Sequence, residues 1–195
     1  MGKSSGGLRG GGGNAATEQG YTAKMKRNIL GVERVHRTDK DESMHIFSPD
    51  GTHIKTIQGK GNRVQFFRSD VPADSIITHN HPLSLGKTGT AAIGHSFSGA
   101  DIFSAIGTNA REMRAVTPTY TFSIKRPAKG WGKTEEQVRR AYKKIDNEVR
   151  KEMLSYINSG HWSDYNVTRA DITHAHEVMK RISKKFGWQY TKKRG

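Results

Sequence analysis

Two short patterns in this chain could carry chemistry: His79-Asn80-His81-Pro82, and Ser98-x-x-Asp101 further on. The residues before the histidines, Ser75-Ile76-Ile77-Thr78, are apolar and β-branched, the composition of a short buried strand. Residues two apart in an extended chain share a face, so His79 and His81 point the same way. Pro82 reinforces this, because the residue before a proline is kept extended. Ser98 and Asp101 open a run with Ile102, Ala105 and Ile106 at helical spacing, so both belong to the first turn of a helix. Two imidazoles at a strand end and one carboxylate at a helix start make three protein ligands, the number a catalytic zinc uses while leaving its fourth position to water. Singly, a His-x-His pair means little and Ser-x-x-Asp is a routine cap. Together, in the order strand, His pair, loop, helix start, they predict Zn2+ held by His79, His81 and Asp101.

A metal-bound water needs a base. Glu42 is the candidate: it starts an alternating segment, Ser43-Met44-His45-Ile46-Phe47, and period two aligns it with Met44 and Ile46. A carboxylate there can take a proton and pass it to a leaving amine. Glu33, in a predicted helix, is the fallback. His95 lies in the loop between the two patterns and reads as a solvated residue, with a fourth ligand or a substrate contact as the alternatives.

The pattern His79-x-His81-Pro82 followed by Ser98-x-x-Asp101 resembles the signature of the JAMM (MPN-plus, JAB-like) zinc metallopeptidases over about residues 41–125. Thr78-His79-Asn80-His81-Pro82 is most similar to the RadC-like and phage-associated bacterial branch. The resemblance implies a β-α-β sandwich and hydrolysis of peptide or isopeptide bonds. It implies zinc on the two His and the Asp, Ser98 steadying the oxyanion, and Glu42 handling the proton. It also implies a phage or mobile-element setting. One departure is the 15 residues between Pro82 and Ser98, a longer loop than the family's. Leu8-Arg9-Gly10-Gly11 repeats the last four letters of ubiquitin, the substrate of eukaryotic JAMM enzymes. In so glycine-rich a stretch it reads as a chance match, with a substrate mimic as the alternative.

Around this centre the chain divides into a flexible glycine-rich tail (1–20), a catalytic α+β domain (21–126) and a basic helical extension (127–195). Tyr21, Met25, Ile29 and Val32 mark a helix. Residues 43–48 and 52–57 form a hairpin about Pro49-Asp50-Gly51, and Arg63–Phe67 reads as a third strand. The 83–96 loop, rich in Gly, Thr and Ser, reads as a flap over the site. Gly86-Lys87-Thr88 is no phosphate loop, because His81 stands where the first glycine belongs. Residues 113–117 and 120–124 form a second hairpin around Pro118. Thr134-x-x-Gln137 and Thr168-x-x-Asp171 cap two paired amphipathic helices, the second ended by Gly187. His174 and His176 fall off the apolar stripe and read as surface residues.

The 195 residues carry a net charge of +15, and 33% are hydrophobic. With no cysteine, a metal must be held by His and carboxylate. No apolar run approaches the ~20 residues of a membrane helix. The start resembles neither a secretory leader nor a complete myristoylation signal, so a soluble, cytoplasmic protein is expected. From Lys125 onward 18 Lys and Arg face 8 Asp and Glu. That charge supports a competing reading, a non-catalytic nucleic-acid-binding or scaffold protein that keeps the fold. A metal nuclease fits less well, since contiguous His79-Asn80-His81 lacks the spread of a hairpin-helix nuclease motif.

Overall fold

The computed structural model describes residue 18 and residues 20–86, 94–159 and 164–195, without the side chains of residue 84 and residues 164–173. Most of the glycine-rich tail, including Leu8-Arg9-Gly10-Gly11, and the centre of the 83–96 loop lie outside the described residues.

The chain is α+β: a six-stranded mixed sheet with helices on both faces. Helix α1 (23–36) starts at a Thr22 cap, whose hydroxyl accepts the Met25 N–H at 3.2 Å, and widens to a π-helical turn over Lys26–Leu30. Strands β1 (Ser43–Phe47) and β2 (His53–Gln58) form the first hairpin. Gly51 turns it with φ 84, and a Cβ there would lie 2.7 Å from Met25 Cα, so α1 packs where only glycine fits. β3 (Ile76–Asn80) leads through α2 (Gly99–Gly107) to a parallel partner, β4 (Glu112–Val116), which turns back into β5 (Tyr120–Lys125). Helices α3 (Glu135–Asn158) and α4 (Asp164–Phe186) then lead into β6 (Gln189–Arg194), giving the order β2-β1-β3-β4-β5-β6.

Period-two alternation assigns the two faces. Met44, Ile46, Ile77, Met113, Ala115, Phe122 and Ile124 share one apolar cluster with α2, α3 and α4, while Phe47 and Ile76 pack with Met25 and Ile29 of α1. β1, β3 and β4 are buried along their whole length, so the polar residues they carry, among them His45, Glu112 and Arg114, are buried with the apolar ones. Trp131 and Trp188 meet edge-to-face at 5.1 Å, and each indole N–H reaches a backbone carbonyl, of Ala110 and Trp131 respectively, both at 3.1 Å.

Three expectations change. Residues 64–67 form no strand; Lys60 and Arg63 make only an isolated bridge. Beyond Gly187 the chain becomes β6, paired along Lys125–Tyr120, where the sequence reading has no element. α4 begins at Asp164, ahead of the expected Thr168 cap. The cap of α3 forms as read: Thr134 Oγ1 accepts the Gln137 N–H and Gln137 Oε1 accepts the Thr134 N–H. Its buried stripe drifts, so that Ile157 is buried and Tyr156 is exposed. No helix is long and apolar enough to cross a membrane among the described residues.

Candidate metal centre

The end of β3 carries His79 on the face of Ile77, toward α2, and His81 follows two residues on. Parallel pairing sets His79 beside Ala115 of β4, and antiparallel pairing sets it beside Met44 of β1. The Nε2 atoms of His79 and His81 lie 2.9 Å apart. Asp101, on the first turn of α2, brings Oδ1 to 3.4 Å from His79 Nε2 and Oδ2 to 3.9 Å from His81 Nε2. Ligands about 2.0–2.1 Å from a tetrahedral zinc stand roughly 3.3 Å from one another. The spacing of the three side chains fits such an ion.

The outward nitrogens decide what faces inward. His81 Nδ1 donates to the His95 carbonyl at 3.0 Å. The His79 ring hydrogen-bonds the Arg114 backbone in a way that favours the protonated ring, so it too is a donor there. With both protons on the outer nitrogens, two bare Nε2 lone pairs point at each other beside a carboxylate. Burial, with the neighbouring His81 adding to it and Asp101 opposing it, brings His79 down to about 4, so it is neutral at pH 7. Burial pushes the Asp101 carboxyl up, but His79, His81 and the Ser98 hydrogen bonds outweigh it and the net direction is down. The cluster turns acceptors inward, a donor set that suits a cation.

Ser98 is both cap and brace. Its backbone N–H and its hydroxyl donate to Asp101 Oδ2 at 2.7 and 2.8 Å, and its oxygen accepts the Asp101 N–H at 3.3 Å. The capping and ligand readings of Ser98-x-x-Asp101 are therefore compatible: the box that starts α2 also aims the carboxylate.

Glu42 arrives from the other side. One carboxylate oxygen and one nitrogen from each of His79 and His81 lie within 4.8 Å of one another, so Glu42, His79 and His81 form a group that could hold a metal ion. Its backbone is pinned by the N–H of Gly59 and the carbonyl of Gly61, at 2.8 and 2.7 Å. A Cβ on Gly59 would fall 2.3 Å from the Arg63 carbonyl and 2.6 Å from that of Glu42, so the turn requires glycine. Burial, reinforced by Asp101 and opposed by His81, pushes the Glu42 carboxyl up to about 7. It can therefore exchange a proton near neutral pH.

Asn80, between the two histidines, was not singled out by sequence. On the opposite face of β3 its side chain accepts the Ser43 N–H at 2.8 Å and donates to the Asp41 carbonyl at 3.1 Å. It grips the backbone on both sides of Glu42. The fallback base, Glu33, lies across the sheet, 3% exposed, with Oε1 and Oε2 bonded to Arg114 at 2.5 and 3.0 Å. It belongs to the packing of α1. His174 and His176 are half-buried: His174 meets Asp146 at 3.2 Å, and His176 Nδ1 meets the Tyr190 hydroxyl at 2.7 Å. Neither is the surface residue expected.

A cavity of about 420 Å3 adjoins Glu42, His81 and Asp101, walled by Arg63 and Val64 on one side and by Tyr142 of α3 on the other. No protein-family model, curated protein or solved structure matches the chain.

Proposed function

We propose that this protein is a zinc-dependent hydrolase of peptide or isopeptide bonds on a JAMM-like scaffold. The observation that carries the reading is the pair of histidine Nε2 lone pairs, 2.9 Å apart, facing the Asp101 carboxylate with Glu42 within reach. His79, His81 and Asp101 would hold the metal. When bound, zinc supplies Lewis acidity, acidifying water and polarising a carbonyl.

The chain's own groups do the rest. Glu42 accepts a proton at its carboxylate and returns it to the departing amine. Ser98 gives its hydroxyl to Asp101 in the resting arrangement and, by rotating about χ1, to the substrate's developing oxyanion. The cavity beside Tyr142 and Arg63 takes the polypeptide substrate. The wording Thr78-His79-Asn80-His81-Pro82 supports a phage or mobile-element setting.

Metal analysis tests this directly. Purified protein is expected to carry close to one zinc, His79→Ala/His81→Ala none, and Glu42→Gln an unchanged amount with peptide hydrolysis lost. Zinc retained by the double variant, or absent from the native chain, overturns the reading. Zinc lost from Glu42→Gln makes Glu42 a ligand and takes the base role from it.

A further inference from the structure

Segment 94–98 borders the metal centre. Its His95 carbonyl takes the His81 Nδ1 proton, and its Ser98 holds Asp101. Between them Ser96 is 2% exposed, and its hydroxyl lies 2.6 Å from the hydroxyl of Tyr190 on β6. Tyr190 in turn lies 2.7 Å from Nδ1 of His176 on α4. Either hydroxyl of the Ser96–Tyr190 pair can donate; with Ser96 donating, the Tyr190 O–H is left for His176 Nδ1. His176 can accept because burial, with Lys192 and Lys180 adding to it, keeps the ring neutral.

The two histidines depend on segment 94–98 unequally. The His79 side chain is 4% exposed, inside β3, and its outer hydrogen bond goes to the adjacent strand β4. His81 is past the end of β3 with its side chain 16% exposed, and the partner of its outer nitrogen is a loop carbonyl. A ligating histidine is aimed, and its tautomer set, by the partner of its other nitrogen. Whatever holds the His95 carbonyl therefore holds His81.

We propose that Tyr190 is a positioning residue for the metal centre: by tying Ser96 to His176 it fixes the His95 carbonyl, and through it the tautomer and aim of His81. The effect on metal affinity rests on the zinc reading above; the effect on His81 does not. β6 then has a role besides closing the sheet, since it carries the tether from α4 to the site.

The test uses Tyr190→Phe, which removes one oxygen and leaves the ring against Phe97 and His176, at 6.3 and 5.5 Å. In metal-free, 15N-histidine-labelled protein, native His81 is expected as the Nδ1–H tautomer. Tyr190→Phe should show a mixture at His81, with His79 unmoved. Titrated with zinc or cobalt, the variant should bind about tenfold more weakly, as substitutions behind a metal ligand do, with an altered cobalt absorption band. His176→Asn, which keeps an acceptor, should retain native affinity, and His176→Leu should behave like Tyr190→Phe. If Tyr190→Phe does not fold, Ser96→Ala breaks the same bond from its other end. An unchanged His81 tautomer with unchanged affinity overturns the proposal while the zinc reading stands. If the native chain binds no metal, the zinc reading falls and the tautomer comparison alone decides this one.

Discussion

At Asn80 the two faces of β3 serve one site. His79 and His81 look toward α2, and the side chain between them reaches across to Ser43 and Asp41 and so sets where Glu42 stands. Asn80→Ala leaves the buried Ser43 N–H without that partner, a cost of about 1–3 kcal/mol for the group left unsatisfied, and releases the Asp41 carbonyl. It also frees Glu42 from its brace. We expect a lower midpoint in urea, unchanged zinc content and hydrolysis reduced at least tenfold. A variant with native kcat would make Asn80 a packing residue only. That His79 and His81 share a face was legible, because period-two spacing along β3 needs nothing but local geometry. The role of Asn80 was not, since its partners lie 37 to 39 residues away, at the start of β1 and just before it.

Beneath α1 the sheet buries a charged network. Arg114 of β4 is held between Glu33 of α1 and Glu112, whose other partners include Ser123, Tyr21 and Lys125 at 2.6, 2.9 and 3.9 Å. Removing one member of a buried ion pair strands the others, so Arg114→Met should cost about 3–5 kcal/mol. Adding Glu33→Leu and Glu112→Leu should recover most of it, checked by denaturant unfolding of the two variants; no recovery would mean that the network contributes more than its charges. On the same face of β1, His45 is brought down to about 4 by burial and by the nearby His36 and His53, against Asp39. Its folded value lies below the ordinary 6.5, so the unfolded chain binds the proton more readily. Its contribution is complete above pH 6.5 and fades as pH falls from there through 4. A Tm series from pH 7 to 4 should show a decline that His45→Gln flattens; parallel curves would remove His45 as the cause. Alternation misled at residues 63–67 for a related reason. Val64 and Phe66 turn inward and are half-buried, but no strand lies alongside, so the pattern reported burial and not pairing. Lys192, Lys193 and Arg194 hid β6, because an edge strand tolerates a run of charges that an interior one holds only when they are paired.

Across the whole molecule, residues 127–195 share one core with the residues before them. Met44, Ile77 and Met113 of the central strands pack in the same cluster as Val138, Val149, Met179 and Ile182 of α3 and α4. Much of the basic charge on these helices is spent locally: Arg139 pairs with Glu135, Arg140 with Glu136, and Arg181 with Glu152 across the helix pair. A composition shift near Pro127 therefore marks a change of surface, and the buried Trp131 just beyond it, 5% exposed, ties the later residues to the loop before β4. We expect one cooperative unit. Tryptophan fluorescence samples Trp131, Trp162 and Trp188, all in the later part, and far-ultraviolet circular dichroism samples the whole. Their urea transitions should coincide. A fragment ending at residue 126 loses the apolar cover of one sheet face and the partner of β5, so it should lack a cooperative transition. Two separated transitions, or a folded 1–126 fragment with dispersed NMR signals, would show that the extension is a separate body, and the wall it gives the cavity through Tyr142 would then be removable without unfolding the metal centre.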